Sequence, residues 1–113
     1  MVWIVRNLLA AVVLCGLAFG AQAAGLTGAY VAEGRNPDGS AYRGDVVIVD
    51  ADGQIGVSWR VGSQAYRGQG ALDGRVLTVD WGSATPVIYV VMPDGSLHGT
   101  WDDGRALEKL TPD

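Results

Sequence analysis

Beyond Ala23, apolar residues recur at every second position in short runs, and clusters of Asp, Gly, Pro, Asn and Ser interrupt these about every ten residues. The runs predict eight strands: Leu26 to Gly34, Ala41 to Val49, Gln54 to Val61, Ala65 to Leu72, Arg75 to Trp81, Val87 to Met92, Ser96 to Trp101, and a weaker one from Ala106 to Leu110. Between them lie "NPDGS", "DADG", "GSATP" and "MPDGS", where Gly accepts positive φ at little cost and Pro presets the first turn angle. No segment of this region carries a helical period of useful length.

Side chains two apart share a face of a strand. Tyr42, Gly44, Val46 and Ile48 are therefore expected to point one way, and Arg43, Asp45, Val47 and Val49 the other. "AYRG" recurs at Ala65 to Gly68, placing Tyr66, Gly68, Gly70 and Leu72 inward and Arg67 outward. Leu26, Gly28, Tyr30 and Ala32 repeat this face of aromatic plus glycine, as do Leu97, Gly99 and Trp101. An inward glycine leaves a hole that an aromatic ring covers, and it lets a sheet bend sharply. Tight turns without long crossovers predict an all-β, antiparallel up-and-down meander closing into a small barrel, with a two-sheet β-sandwich as the alternative. Arg43, Asp45, Arg60, Arg67, Gln69 and Asp80 on the outward parity argue against a barrel facing lipid.

The first 23 residues have a different character. Arg6 and Asn7 precede an uncharged, mostly apolar stretch from Leu8 to Phe19, and Ala21-Gln22-Ala23 offers small residues where an exporting peptidase reads. This predicts a signal helix over residues 1–23, cleaved after Ala23, and a single domain over residues 24–113 with no membrane attachment after cleavage. A spanning helix wants about 20 apolar residues, and Gly16, Gly20 and Gln22 dilute a shorter run. Cys15, the chain's single cysteine, lies in this leader. Export without disulfides points to a bacterial periplasm or exterior.

Of eight basic residues Arg6 belongs to the leader, and twelve acidic residues face the rest. This acidic excess argues against binding nucleic acid or an anionic membrane surface, both of which rely on basic patches to displace counterions. His98 is the only histidine, predicted outward, and Ser40, Ser63, Ser83 and Ser96 sit in turns, so no serine triad is expected. Asp50 with Asp52 and Asp102 with Asp103 are carboxylate pairs that turn chemistry already explains. "DADG" lacks the remaining acidic ligands of a calcium loop. The expectation is a protein that is not an enzyme, with no cofactor and no dedicated metal.

Two features are candidates for binding. Trp59, Trp81, Trp101, Tyr66 and Tyr89 all fall on the inward parity and are candidate contacts for a small apolar or flat ligand. An eight-stranded barrel is just wide enough to be filled or to hold one small ligand, and bulky rings in so short a chain favour filling. The stretch "PVIYVVM" is apolar on both parities, so Ile88, Val90 and Met92 are expected to form a partner or homodimer surface unless a chain segment covers them; Val47 and Val49 add to the outward apolar count. Arg43 and Arg67 are candidates for a paired anion clamp on such a surface, against the simpler reading of surface ion pairs with Asp45 or Asp80.

"LTGAYVAEGRNPDGSAYRGDVVIV", the later "PDGSLHGTW" and the terminal "EKLTP" together resemble a group of small exported bacterial β-proteins, some labelled fibronectin-binding proteins. That resemblance implies a cell-surface or extracellular adhesion role with a protein or matrix partner. The meander with "GAY" near its start and "GTW" near its end is more loosely similar to avidin and lipocalin barrels, though Tyr30 stands where lipocalins carry Trp. Three functions follow as expectations: a binding module acting through its surface and loops, a carrier of a small hydrophobic ligand inside the barrel, and an exported enzyme inhibitor.

Overall fold

A computed structural model describes residues 25–113; the predicted leader and its cleavage site lie outside the described residues. Eight strands run in order, β1 (Gly28–Arg35), β2 (Ala41–Ala51), β3 (Gln54–Val61), β4 (Gln64–Asp73), β5 (Val76–Asp80), β6 (Val87–Val91), β7 (Leu97–Trp101) and β8 (Ala106–Pro112). Each pairs antiparallel with the next, and β8 pairs with β1, so the meander closes into a barrel. Closure removes the sandwich alternative, because no sheet edge is left to separate two layers.

β8, the weakest predicted strand, closes the barrel and extends beyond Leu110 to Pro112. Its register joins Leu110 to both Ala32 and Leu97. Two predicted ends differ for local reasons. Leu26 precedes β1 in a turn, where its carbonyl accepts a hydrogen bond of 2.7 Å from the Tyr30 hydroxyl. Trp81 lies just past β5, because its indole N–H turns to the Thr85 carbonyl at 3.0 Å in the following loop. The β2–β3 hairpin is a two-residue turn in which Asp52 and Gly53 both take positive φ, 55° and 88°, as the twist of a tight hairpin requires.

The period-two parity holds clearly on every strand but β4, where the inward Gly68 and Gly70 are half-buried while Tyr66 and Leu72, both expected inward, are 40% and 42% exposed at the two ends of the strand. Val46, Ile48, Ile55, Val57, Leu77, Val79, Tyr89, Leu97 and Leu110 are all at most 1% exposed. The side chains divide the barrel along its axis. Ile48, Ile55, Leu77, Leu97 and Leu110 fill the end carrying the β2–β3, β4–β5 and β6–β7 turns, with Leu26 folded against them. Aromatic residues occupy the opposite end.

The inward glycines do what the sequence pattern suggests. Gly34 lies opposite Tyr42, and Gly99 opposite Tyr89. In each case the tyrosine ring occupies the place where a glycine Cβ would stand. A methyl at Gly99 would also meet the Ile88 carbonyl oxygen at 2.7 Å, whereas one at Gly56, on the outer face, meets nothing within 4 Å. Gly99→Ala is therefore expected to destabilise the barrel in urea unfolding by about 1–3 kcal/mol. Gly56→Ala should be neutral or stabilising by up to about 1 kcal/mol. Equal losses at the two positions would show that the tyrosine-over-glycine packing is not what these sites require.

Candidate ligand site

The four connections β1–β2, β3–β4, β5–β6 and β7–β8 lie at one end of the barrel, and here the inward side chains leave a cavity of about 260 Å³. Tyr42 opens β2, Val61 closes β3, Tyr66 opens β4 and Trp101 closes β7. With Trp81, Val87 and Asn36 they line its wall, and Trp59 and Glu108 lie deeper. The interior is thus filled over one half and open at the other, a departure from the filled barrel that ring bulk suggests.

Trp81 is the centre of the aromatic wall. Its ring centroid lies 6.4 Å from Trp59, 5.8 Å from Tyr66 and 5.9 Å from Trp101, at interplanar angles of 58°, 74° and 83°. Tyr42 meets Trp101 at 6.3 Å and 66°. These are edge-on or tilted contacts, each contributing about 0.5–1.5 kcal/mol beyond burial. No two rings stack in parallel, so their faces are not consumed by one another.

Below the rings sits a carboxylate. Glu108 lies on the inward parity of β8 and is 6% exposed. Its cross-strand neighbours are both glycines, Gly34 on β1 and Gly99 on β7. Through the two gaps so created, phenols arrive from opposite sides. The Tyr42 hydroxyl donates to Oε1 at 2.6 Å, and the Tyr89 hydroxyl donates to Oε2. The Trp59 indole N–H, from across the barrel, donates to Oε2 at 3.1 Å and lies 3.0 Å from the Tyr89 oxygen. Trp101 donates its indole N–H to the Tyr42 oxygen at 3.0 Å. An indole N–H can only donate, so each phenol that accepts one sends its own proton on to Glu108. Glu108 is thus the acceptor in every contact, the pattern of an ionised carboxylate.

The structure brings four of the five sequence-predicted ligand residues, Trp59, Trp81, Trp101 and Tyr66, around this cavity. Tyr89 is fully buried behind it and reaches it only through Glu108. Tyr42, Asn36 and Glu108 were not among the sequence candidates. The signal for Glu108 was present in the parity of Ala106, Glu108 and Leu110, which places a charge inside.

The outward candidates do not assemble. Arg43 pairs with Glu33, its register neighbour, at 2.8 Å and not with Asp45. Arg67 is exposed beside Ser58 on the far side of β3 from Arg43's strand, so the two arginines are not brought together. Ile88 and Val90 are 37% and 42% exposed, with Val76 at 39% beside Val90, and no described segment covers them. Met92 is half-buried in the β6–β7 turn, where its N–H donates to the Ser96 carbonyl. Val47 and Val49 belong to β2, four strands away from β6 in either direction, and form no common patch with Ile88.

Ser96 is 3.4 Å from His98 Nε2, but its hydroxyl donates to Asp94 at 2.6 Å inside the turn. The proton points away from the imidazole, so the trio has the wrong polarity for an activated nucleophile. Ser40 and Asp38 repeat the same turn bond at 2.6 Å, which identifies it as turn chemistry. Asp102 and Asp103 both adopt positive φ in the β7–β8 turn, and Arg105 pairs with Asp102 at 3.1 Å. Among the described residues no group of three or more His, Cys, Asp or Glu is placed to hold a metal ion. No known family, curated protein or solved structure matches the chain.

Burial, then the charge of Glu108 and the hydrogen bond to it, raises the Tyr89 phenol well above its ordinary value. Burial and the Glu108 hydrogen bond raise Tyr42 likewise, and burial raises Tyr30. A raised folded value means that the native state holds these protons after the unfolded chain has released them. Their contribution to stability is complete below about pH 10 and is lost as pH rises beyond it. Alkaline titration followed by phenolate absorbance should therefore show Tyr30, Tyr42 and Tyr89 ionising only with unfolding. Tyr89→Phe, which leaves Glu108 short of a donor, should cost about 1–3 kcal/mol. Tyr66→Phe, at the exposed rim, should change stability by less than about 0.5 kcal/mol. Free ionisation of all tyrosines near pH 10 in the folded protein would contradict the donor assignment.

Proposed function

We propose that this protein is a small-molecule binding barrel whose ligand enters the aromatic end and rests on Trp59, Trp81 and Trp101. The observation that carries this reading is the cavity of about 260 Å³ walled by three tryptophans and two tyrosines, with one polar group at depth. Apolar walls with a few placed polar atoms are the usual make-up of a ligand site. Its volume lies just below the roughly 300–1,000 Å³ of drug-sized pockets, so the ligand is of a few heavy atoms up to about one fused ring system. The loops bounding the mouth are short, the longest running from Trp81 to Pro86, so entry requires no large lid to move.

Titrating small aromatic and alicyclic compounds into the folded protein should give saturable quenching or shift of tryptophan emission. Trp81→Ala removes the residue that joins the other rings and should weaken the responding compound by about tenfold or more, while unfolding stays cooperative. Silence from the whole panel in a folded sample would overturn the proposal.

A second reading is favoured by a separate observation, the exposed strip of Val76, Ile88 and Val90 across β5 and β6. It is the surface through which a protein partner or a second copy of the chain would be held. Sedimentation velocity across a wide concentration range tests the second copy: a monomer throughout, for native protein and Ile88→Asp alike, removes it.

A further inference from the structure

Resting on the small-molecule reading, we infer that the ligand is a small organic cation, an ammonium ion held between the aromatic wall and the Glu108 carboxylate. Glu108 lines the cavity, is buried, and receives only neutral donors: two phenols and one indole N–H. The ion pairs among the described residues, Arg43 with Glu33 and Arg105 with Asp102, lie elsewhere, so no basic side chain compensates it. A desolvated carboxylate without an opposite charge is costly, and a cation in the adjoining space offsets that cost.

The donors are distributed unevenly. Oε2 accepts from both Tyr89 and Trp59, while among side-chain donors Oε1 accepts only from Tyr42. A carboxylate oxygen accepts two bonds readily, so Oε1 keeps acceptor capacity, and Glu108 is one of the residues lining the cavity. Above it stand Trp59, Trp81 and Trp101, and tryptophan faces attract cations more strongly than those of tyrosine or phenylalanine. An anion would meet the same carboxylate without a basic partner. A purely apolar ligand would make no use of the Glu108 charge.

Long-range electrostatics point the same way. The chain carries a net charge of −4. The four loops at the mouth hold Asp38, Asp102 and Asp103; the bases at this rim are Arg105, already engaged by Asp102, and Arg35, which ends β1 and donates to the Gly39 carbonyl at 3.3 Å. Such a rim raises the local concentration of cations.

The test uses calorimetric titration of the native protein with choline, with n-butylammonium, with the uncharged analogue of choline in which carbon replaces the quaternary nitrogen, and with butyrate. At least one of the two cations is expected to bind about tenfold or more tighter than the uncharged analogue, and butyrate is expected not to bind. Glu108→Gln, which keeps the shape and removes the charge, should abolish most of that preference. Should the variant fail to fold, the comparison of cation with uncharged analogue on native protein decides alone. Equal affinity for choline and its uncharged analogue would overturn the cation assignment while leaving the ligand site standing. No binding of any of the four, together with silence in the fluorescence panel, would overturn both.

Discussion

A carboxylate inside a barrel of this size is the constraint around which the open half is arranged. Removing it from water costs several kcal/mol even after relaxation, and hydrogen bonds to a charged group return about 1.5–3 kcal/mol each. Three donors are therefore required to hold Glu108 where it is, and they come from β2, β3 and β6. Phenols on β2 and β6 can reach it only because the intervening positions on β1 and β7 are Gly34 and Gly99. Tyr42, Gly34, Glu108, Gly99 and Tyr89 thus form one cross-strand row, roughly symmetric about β8. The seam at which the barrel closes is also the place where its polar network is anchored.

The rest of the interior is specialised by depth. The aliphatic end is closed to solvent around Ile48, Ile55, Leu77, Leu97 and Leu110. It supplies the burial that a small domain without disulfides needs. This leaves the aromatic end free to keep unfilled volume, whose cost is tolerated because the other half carries the fold. The indole N–H groups are pinned to Glu108, the Tyr42 hydroxyl and the Thr85 carbonyl, so the cavity walls are held in place by the protein's own hydrogen bonds. Under the proposed binding role, preorganisation of this kind would reduce what association loses in side-chain freedom.

The barrel was legible because its signal is period two. Most strands carry their bulky apolar residues on one parity, so that a single parity decision places the core-facing side chains; β6, apolar on both parities, and β4, whose inward face is largely glycine, are the exceptions. The pairing of tyrosine with glycine was also visible as a packing motif, repeated in "GAY", "AYRG" and "HGTW". β8 hid the site for a physical reason: Glu108 is inside and Leu107, 56% exposed, is outside. Hydrophobicity alone therefore runs opposite to parity at adjacent positions, and the strand looked weak. Tyr42 was assigned inward but not to the cavity, since its height along the axis depends on the β1–β2 register, Gly34 opposite Tyr42. Sequence alternation specifies a face, whereas register specifies a level, and a site at one end of a barrel is a matter of level.

That distinction bears on why position 108 carries a charge at all. An apolar side chain there, with Phe in place of Tyr42 and Tyr89, would complete the alternation of β8 and remove every desolvation cost. Replacing buried ionic groups with well-packed apolar ones is often neutral or stabilising. Stability alone is therefore a poor reason for Glu108, its two phenols and the two glycines that admit them. A network of five residues on five strands, adjoining an open aromatic cavity, is what the proposed binding role would call for and what barrel closure by itself does not.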